Sequence, residues 1–164
     1  MGATSAHFSD AELRCSGGVC NDCLAGQPPK NECQPALTDM LEQFRTQCAM
    51  YAGADVQIIV HSAYRCPEKN GATKNAAKNS VHQQGLAADV HVKVLGPAGV
   101  SLLSPYEMEQ IAMRCSRVTG FGRDDHAKYV HLDARTTNTH ADLAKWCYEP
   151  NGNSCTYYPP KEEA

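Results

Sequence analysis

A chain of 164 residues and 17.8 kDa suits a single domain. Hydrophobic residues make up 42% and charged residues 20%, the composition of a folded soluble domain, which excludes global disorder. The formal net charge of −3 excludes the basic footprint needed to wrap nucleic acid or an anionic bilayer, and no apolar run approaches the ~20 residues that span a membrane.

Met1 to Phe8 has neither a basic flank nor an apolar stretch, so no secretory signal is expected. His7 to Arg14 reads as a short amphipathic helical turn, with Ser9 as N-cap and Glu12 completing a capping box. Residues 15–34 are rich in Cys, Gly and Pro and read as a loop. Pro35 to Tyr51 is the clearest helix: Leu37, Leu41, Phe44 and Cys48 follow helical spacing, Pro35 suits the first turn, and Gly53 ends it. Val56 to His61 is β-branched and apolar and reads as a buried strand. Residues 66–80 are polar and read as a loop with a helical turn. Leu86 to Val94 reads as a strand with Ala88, Val90 and Val92 on one face and Asp89 and His91 on the other. Gly96 to Leu103 is expected to be a loop, and Ser104 to Arg117 a second helix capped by Ser104. Val118 to Phe121 and Tyr129 to Ala134 read as strands, and residues 139–147 as a short helix. The order implies an α+β domain, a small, mostly antiparallel sheet packed against helices. Three stretches are expected within one domain: a Cys-rich segment over 1–34 packed on it, a core over 35–147, and a C-terminal loop and tail over 148–164.

Nine cysteines are an odd number, so complete internal pairing is impossible. Cys48 and Cys115 lie in apolar helical patterns and read as small buried side chains. Cys147 and Cys155 flank a turn-rich loop that a disulfide can close. Cys15, Cys20, Cys23 and Cys33 form the denser pattern C-x4-C-x2-C with a later Cys. It admits disulfides or free thiols, a structural metal site, or an iron–sulfur site.

The chemistry concentrates in three segments: His61-Ser62-Ala63-Tyr64-Arg65, Ser80 to Asp89, and Tyr129-Val130-His131-Leu132-Asp133. His82 on a loop precedes Asp89 on a strand by seven residues, Gly85 allows a tight turn between them, and small Ala87 and Ala88 let the backbone pass close. His82 and Asp89 can then converge, with His131 joining from a neighbouring strand. Two imidazoles and a carboxylate are a zinc ligand set with an open fourth position for water, which is what amide hydrolysis needs.

Ser80-x-His82-x-x-Gly85-x-Ala87-x-Asp89 resembles the S-x-H-x-x-G-x-A-x-D signature of peptidase family M15, the zinc D,D-peptidases. Ser62-Ala63-Tyr64-Arg65-Cys66-Pro67 with Asn70 resembles its S-G-Y-R-x-P-x-x-N segment, and Tyr129 to Asp133 its F-V-H-x-D segment. Phe8-Ser9 to Cys15 resembles the opening of the phage-type subgroup, and the ordered matches run over roughly residues 7–135.

The resemblance implies the zinc D,D-peptidase (Hedgehog/DD-peptidase-like) fold and one catalytic Zn2+ held by His82, Asp89 and His131. It implies that Arg65 grips a substrate carboxylate, a role suited to a planar guanidinium. It implies an enzyme that cuts peptidoglycan stem or cross-link peptides, of bacteriophage or prophage origin. Such a protein is made in the host cytoplasm and acts at the wall after lysis or as a virion component beside other phage tail proteins. A second metal or disulfides at Cys15, Cys20, Cys23 and Cys33 remain open.

One departure concerns the general base. Many members carry an acid three residues before the last zinc histidine, where this chain has Lys128. The adjacent loop offers Asp124, Asp125 and His126, of which Asp125 and His126 are the expected base candidates. Asp133 and His91 are in register with their zinc ligands as further candidates. His7 and His140 read as surface residues, and Trp146, Tyr148, Tyr157 and Tyr158 as packing of the C-terminal loop or a sugar-stacking patch. Two rival readings are a wall-binding or virion module that keeps the metal without turnover, and a redox protein built on the N-terminal cysteines.

Overall fold

The computed structural model describes residues 2–15, 30–74 and 76–148 and the backbone of 154–155. Helix α1 (Asp10–Leu13) opens with Ser9, whose N–H donates to the Glu12 carboxylate at 2.9 Å. Helix α2 (Pro35–Ala52) starts on Pro35 and stops at Gly53, which takes the left-handed conformation at φ 61. Its inner face carries Leu37, Met40, Leu41, Phe44 and Cys48, all fully buried. Strand β1 (Asp55–Ser62) follows, then helix α3 (Pro67–Ala72) and a 3-10 turn (Val81–Gln84).

Strand β2 (Ala87–Gly96) is the axis of the sheet: it pairs antiparallel with β1, with β3 (Gly99–Leu102) and with β5 (Tyr129–Asp133). Helix α4 (Pro105–Ala112) leads into β4 (Gly120–Asp124), which pairs antiparallel with β5 and parallel with β6 (Ala144–Tyr148). Strand β7 (Ser154–Cys155) closes the order β1-β2-β5-β4-β6-β7. One face of the sheet is the core: Val90, Val92, Phe121, Val130 and Leu132 are fully buried with Met108, Ile111 and Ala112 of α4 and the inner face of α2. Strand periodicity then puts Asp89, Gly122 and His131, which are direct register partners, on the opposite face.

Four expectations need correction. Residues 99–102 form a strand, because Gly96 and Gly99 close a tight hairpin, Gly99 at φ 118; its residues are all exposed, so no burial pattern marked it. The second helix stops at Ala112 instead of Arg117, because the chain tightens into successive i→i+3 turns ending in Val118 N–H to Cys115 O at 2.9 Å. The ring nitrogens of His140 lie 3.1 Å from the Met113 carbonyl and 2.8 Å from the Val118 carbonyl, so His140 is half-buried and pins the end of that helix instead of standing free at the surface. Residues 144–148 are a strand and not a helix, because the free edge of β4 pairs with them. Cys48 and Cys115 are buried as expected, burial pushing the Cys115 thiol up to about 12. Register sets Cys147 directly opposite Cys155. The tail from Tyr157, most of the 15–34 loop, and Cys20 and Cys23 lie outside the described residues.

Gly85 ends the 3-10 turn at φ 68, and a Cβ there collides with the Glu32 carbonyl oxygen. Gly85→Ala therefore combines left-handed strain with a backbone clash and is expected to lose at least about 2 kcal/mol of stability. Urea denaturation monitored by far-UV circular dichroism measures it.

Candidate metal centre

His82 sits in the 3-10 turn, whose entry is fixed by Ser80: the Ser80 hydroxyl accepts the His82 N–H at 3.3 Å. Asp89 and His131 come from adjacent strands and are paired residue to residue. The three side chains converge. His82 Nε2 lies 3.1 Å from His131 Nδ1, Asp89 Oδ1 lies 3.3 Å from His82 Nε2, and Asp89 Oδ1 lies 3.0 Å from His131 Nδ1. Among the described residues no other His, Cys, Asp or Glu trio comes this close.

The outer nitrogens decide what the inner ones carry. His82 Nδ1 is 2.7 Å from the Ala63 carbonyl oxygen, which only accepts, so Nδ1 carries the proton and donates. His131 Nε2 is 3.1 Å from the Asp133 carboxylate, so Nε2 donates there. When both rings are neutral, each turns an unprotonated nitrogen inward, the form that can ligate a cation; otherwise His131 Nδ1 carries a proton to Asp89 Oδ1. In that neutral form three lone pairs would meet at one point, an arrangement that a cation satisfies. The triangle also has the right size: ligands about 2.0–2.1 Å from a tetrahedral zinc are about 3.3 Å apart.

The charges at the site are coupled. Burial pushes the Asp89 carboxyl up, but the His82 and His131 imidazoles outweigh it and hold it well below the carboxylate range. Burial lowers His82, only partly offset by Asp89. Burial lowers His131 too, but its hydrogen bonds to the Asp133 and Asp89 carboxylates leave it raised, so a metal that binds there displaces a proton. Asp133 is fully buried and clasped by the Arg135 guanidinium; burial raises it, but Arg135 and His131 hold it far below its usual range. Gly120 makes room, since a Cβ there strikes the Asp133 carboxylate, and small Ala87 is the register partner on its other side. Asp133 therefore serves as the orienting partner of His131, not as a base.

The centre lies in a cleft of about 860 Å³ whose walls include Arg65, Lys74, Ser80, Asp124, Tyr129 and Trp146. The Arg65 Nη2 is 3.9 Å from Asp89 Oδ2, and its Nε is a buried donor with no partner among the described residues. Trp146 lies over Gly122, where a Cβ meets the indole, and its ring centroid is 5.1 Å from that of His131. Trp146 and Tyr148 thus line the cleft, where the sequence alone offered loop packing or a sugar-stacking patch; Tyr157 and Tyr158 lie outside the described residues. Burial pushes the Tyr148 hydroxyl up to about 12.

The base candidates separate. Asp125 is exposed and pairs with Arg123 Nε at 3.1 Å, His126 is exposed, and neither lines the cleft. Asp124 does line it. Its Oδ1 accepts the N–H groups of His126 and Ala127 at 2.9 and 2.7 Å, which staples the turn and keeps the two following side chains outward. Lys128 is exposed in the same turn at φ 61. His91 shares the Asp89 face, but its Nδ1 is 2.6 Å from His61 Nε2. His61 is the extra residue of a bulge between the Val60–Val90 and Ser62–Asp89 pairs, a re-aiming that no spacing announces. Two motif residues are structural: Tyr64 is buried, and Asn70 donates to the Ala77 carbonyl at 2.9 Å.

This His-Asp-His trio, drawn from a 3-10 turn and two paired strands, is a donor set that could hold a metal ion. A family model described as Peptidase M15 matches residues 6–133, and the chain belongs to that family. Membership and the donor set together point to a zinc metallopeptidase. No curated protein and no solved structure matches the chain.

Asp133→Asn leaves the three ligands in place but weakens the hold on the His131 ring. Zinc affinity is expected to fall about 10–100-fold, read by competition with a chromogenic chelator.

Proposed function

We propose that the protein hydrolyses amide bonds in the stem or cross-link peptides of peptidoglycan, next to a D-amino acid, with the fold of the zinc D,D-peptidases. The observation that carries the reading is the convergence of the His82, Asp89 and His131 ligand atoms beside a cleft-lining guanidinium whose Nε has no partner among the described residues. A bound zinc ion supplies polarisation of the scissile carbonyl and acidification of the attacking water.

The chain's own residues supply the rest. Arg65 binds a carboxylate of the peptide and so sets which bond reaches the centre. Ala63 and Asp133 keep the two imidazoles in the tautomers that ligate. Asp124 takes the proton of the attacking water and returns it to the leaving amine, replacing the acid that Lys128 displaces from its usual position. Trp146 and Tyr148 wall the cleft against the peptide.

Phage or prophage origin, and action at the wall after lysis or from the virion, belong to the same proposal. They rest on the phage-type opening Phe8-Ser9 to Cys15. Virion or tail proteins are then the protein partners.

Purified cell walls test the reading. Amine release is expected with zinc, and none after chelation. Binding to walls with no release in either sample would instead support a docking module. Asp124→Asn is expected to lower kcat by about 10²–10⁴-fold with zinc content retained, whereas Asp125→Asn leaves kcat unchanged. Arg65→Lys keeps a charge but not the fork, and is expected to raise KM by about tenfold or more in steady-state kinetics on a stem peptide.

A further inference from the structure

Two of the three ligands stand on one row of the sheet's site face, where Asp89, His131, Gly122 and Trp146 are successive register partners. The next row on that face lies two residues along each strand, about 6.7 Å away. It carries Asp124, with Tyr129 as its direct partner on β5 and Tyr148, one position past the Arg123–Cys147 pair, on β6. The proposed base is therefore flanked by two phenols, whose ring centroids are 6.2 Å apart, and all three residues line the cleft.

Tyr148 is the phenol whose proton is aimed. Its ring stands edge-on to Trp146, with centroids 6.4 Å apart, and its hydroxyl oxygen accepts a hydrogen bond from the Trp146 indole. An indole N–H only donates, so the Tyr148 proton turns away from it. That proton has no acceptor among the described residues. The hydroxyl feels the charges of Asp89, Arg65 and Asp124, so it faces the charged centre of the cleft. Trp146 is itself fixed against the metal row, over Gly122 and 5.1 Å from the His131 ring.

A hydroxyl held in this way is open to an incoming acceptor. In amide hydrolysis the acceptor that gains most is the carbonyl oxygen, which turns anionic as water adds, because hydrogen bonds to an anion are the stronger ones. Arg65 is engaged by the substrate carboxylate in the reading above, and Asp124 as a carboxylate only accepts.

We propose that Tyr148 is a catalytic residue whose O–H donates to the oxyanion developing on the scissile carbonyl, with Trp146 as the positioning residue that aims it, a role that rests on the peptidase reading. As the water oxygen bonds to the carbonyl carbon, one water proton passes to Asp124 and the π electron pair moves onto the carbonyl oxygen. When the C–N bond breaks, that pair returns to the carbonyl, and the proton goes from Asp124 to the leaving amine. The new carboxylic acid sheds its remaining proton to solvent. Tyr148 keeps its own proton throughout.

Tyr148→Phe keeps the ring and removes only the donor. Its kcat on a stem peptide is expected to fall about 10²–10³-fold, with KM and zinc content unchanged. Trp146→Phe leaves the hydroxyl in place but unaimed, and is expected to lose part of that factor in kcat, again at unchanged KM. A phosphinate peptide, whose tetrahedral anionic group resembles the oxyanion, gives a readout without turnover. In titration calorimetry on the zinc-loaded protein, Tyr148→Phe is expected to bind the phosphinate about 10²-fold more weakly and the cleavage product equally well. A raised KM at unchanged kcat, or equal losses of phosphinate and product affinity, overturns the proposal. Walls cleaved equally well by the wild-type chain and by Tyr148→Phe overturn it too and leave the peptidase reading intact. A zinc-loaded wild-type chain that releases no amine removes that reading and the proposal with it.

Discussion

Three ligating atoms aimed at one point, two imidazole nitrogens and a carboxylate oxygen, make a seat for a cation. His82 Nε2, Asp89 Oδ1 and His131 Nδ1 are held in that arrangement from outside, by the Ala63 carbonyl and by the Arg135-clasped Asp133. Such groups are retained only where the fold over-determines them. The antiparallel register of β2 with β5 makes Asp89 and His131 direct neighbours, and the left-handed Gly85 returns the chain from His82 into β2. Much of the remaining architecture serves that junction. The helices bury one face of the sheet, and the other face is left for the site.

The cleft grows from the same sheet face by strand periodicity. Two glycines on β4 allow it: Gly120 admits the Asp133 carboxylate and Gly122 admits the Trp146 indole. Side chains with a Cβ at either position would push apart the layers that orient His131. Asp124, two residues along the same strand, then reaches the cleft, while the staple it forms holds Asp125 and His126 on the outside of the turn.

The convergence of His82, Asp89 and His131 beside Arg65 was legible because these residues sit in short local motifs, and α2 because its apolar stripe is long and capped at both ends. What escaped was set by tertiary pairing. Strand β6 exists because β4 has a free edge, and the hairpin strand β3 is exposed on every residue, so neither carries a burial pattern. The shortened α4 depends on His140, which is remote in sequence. That Asp124 and not Asp125 lines the cleft depends on which backbone amides the carboxylate caps. Trp146 reads as loop packing until the parallel pairing of β4 with β6 sets it over Gly122.

Anomalous diffraction at the zinc edge from crystals of the zinc-loaded protein tests the account most directly. A peak bonded to His82 Nε2, Asp89 Oδ1 and His131 Nδ1, with the opposite ring nitrogens on Ala63 and Asp133, is the expected result. No peak among those three atoms, in crystals shown to contain zinc, would contradict it.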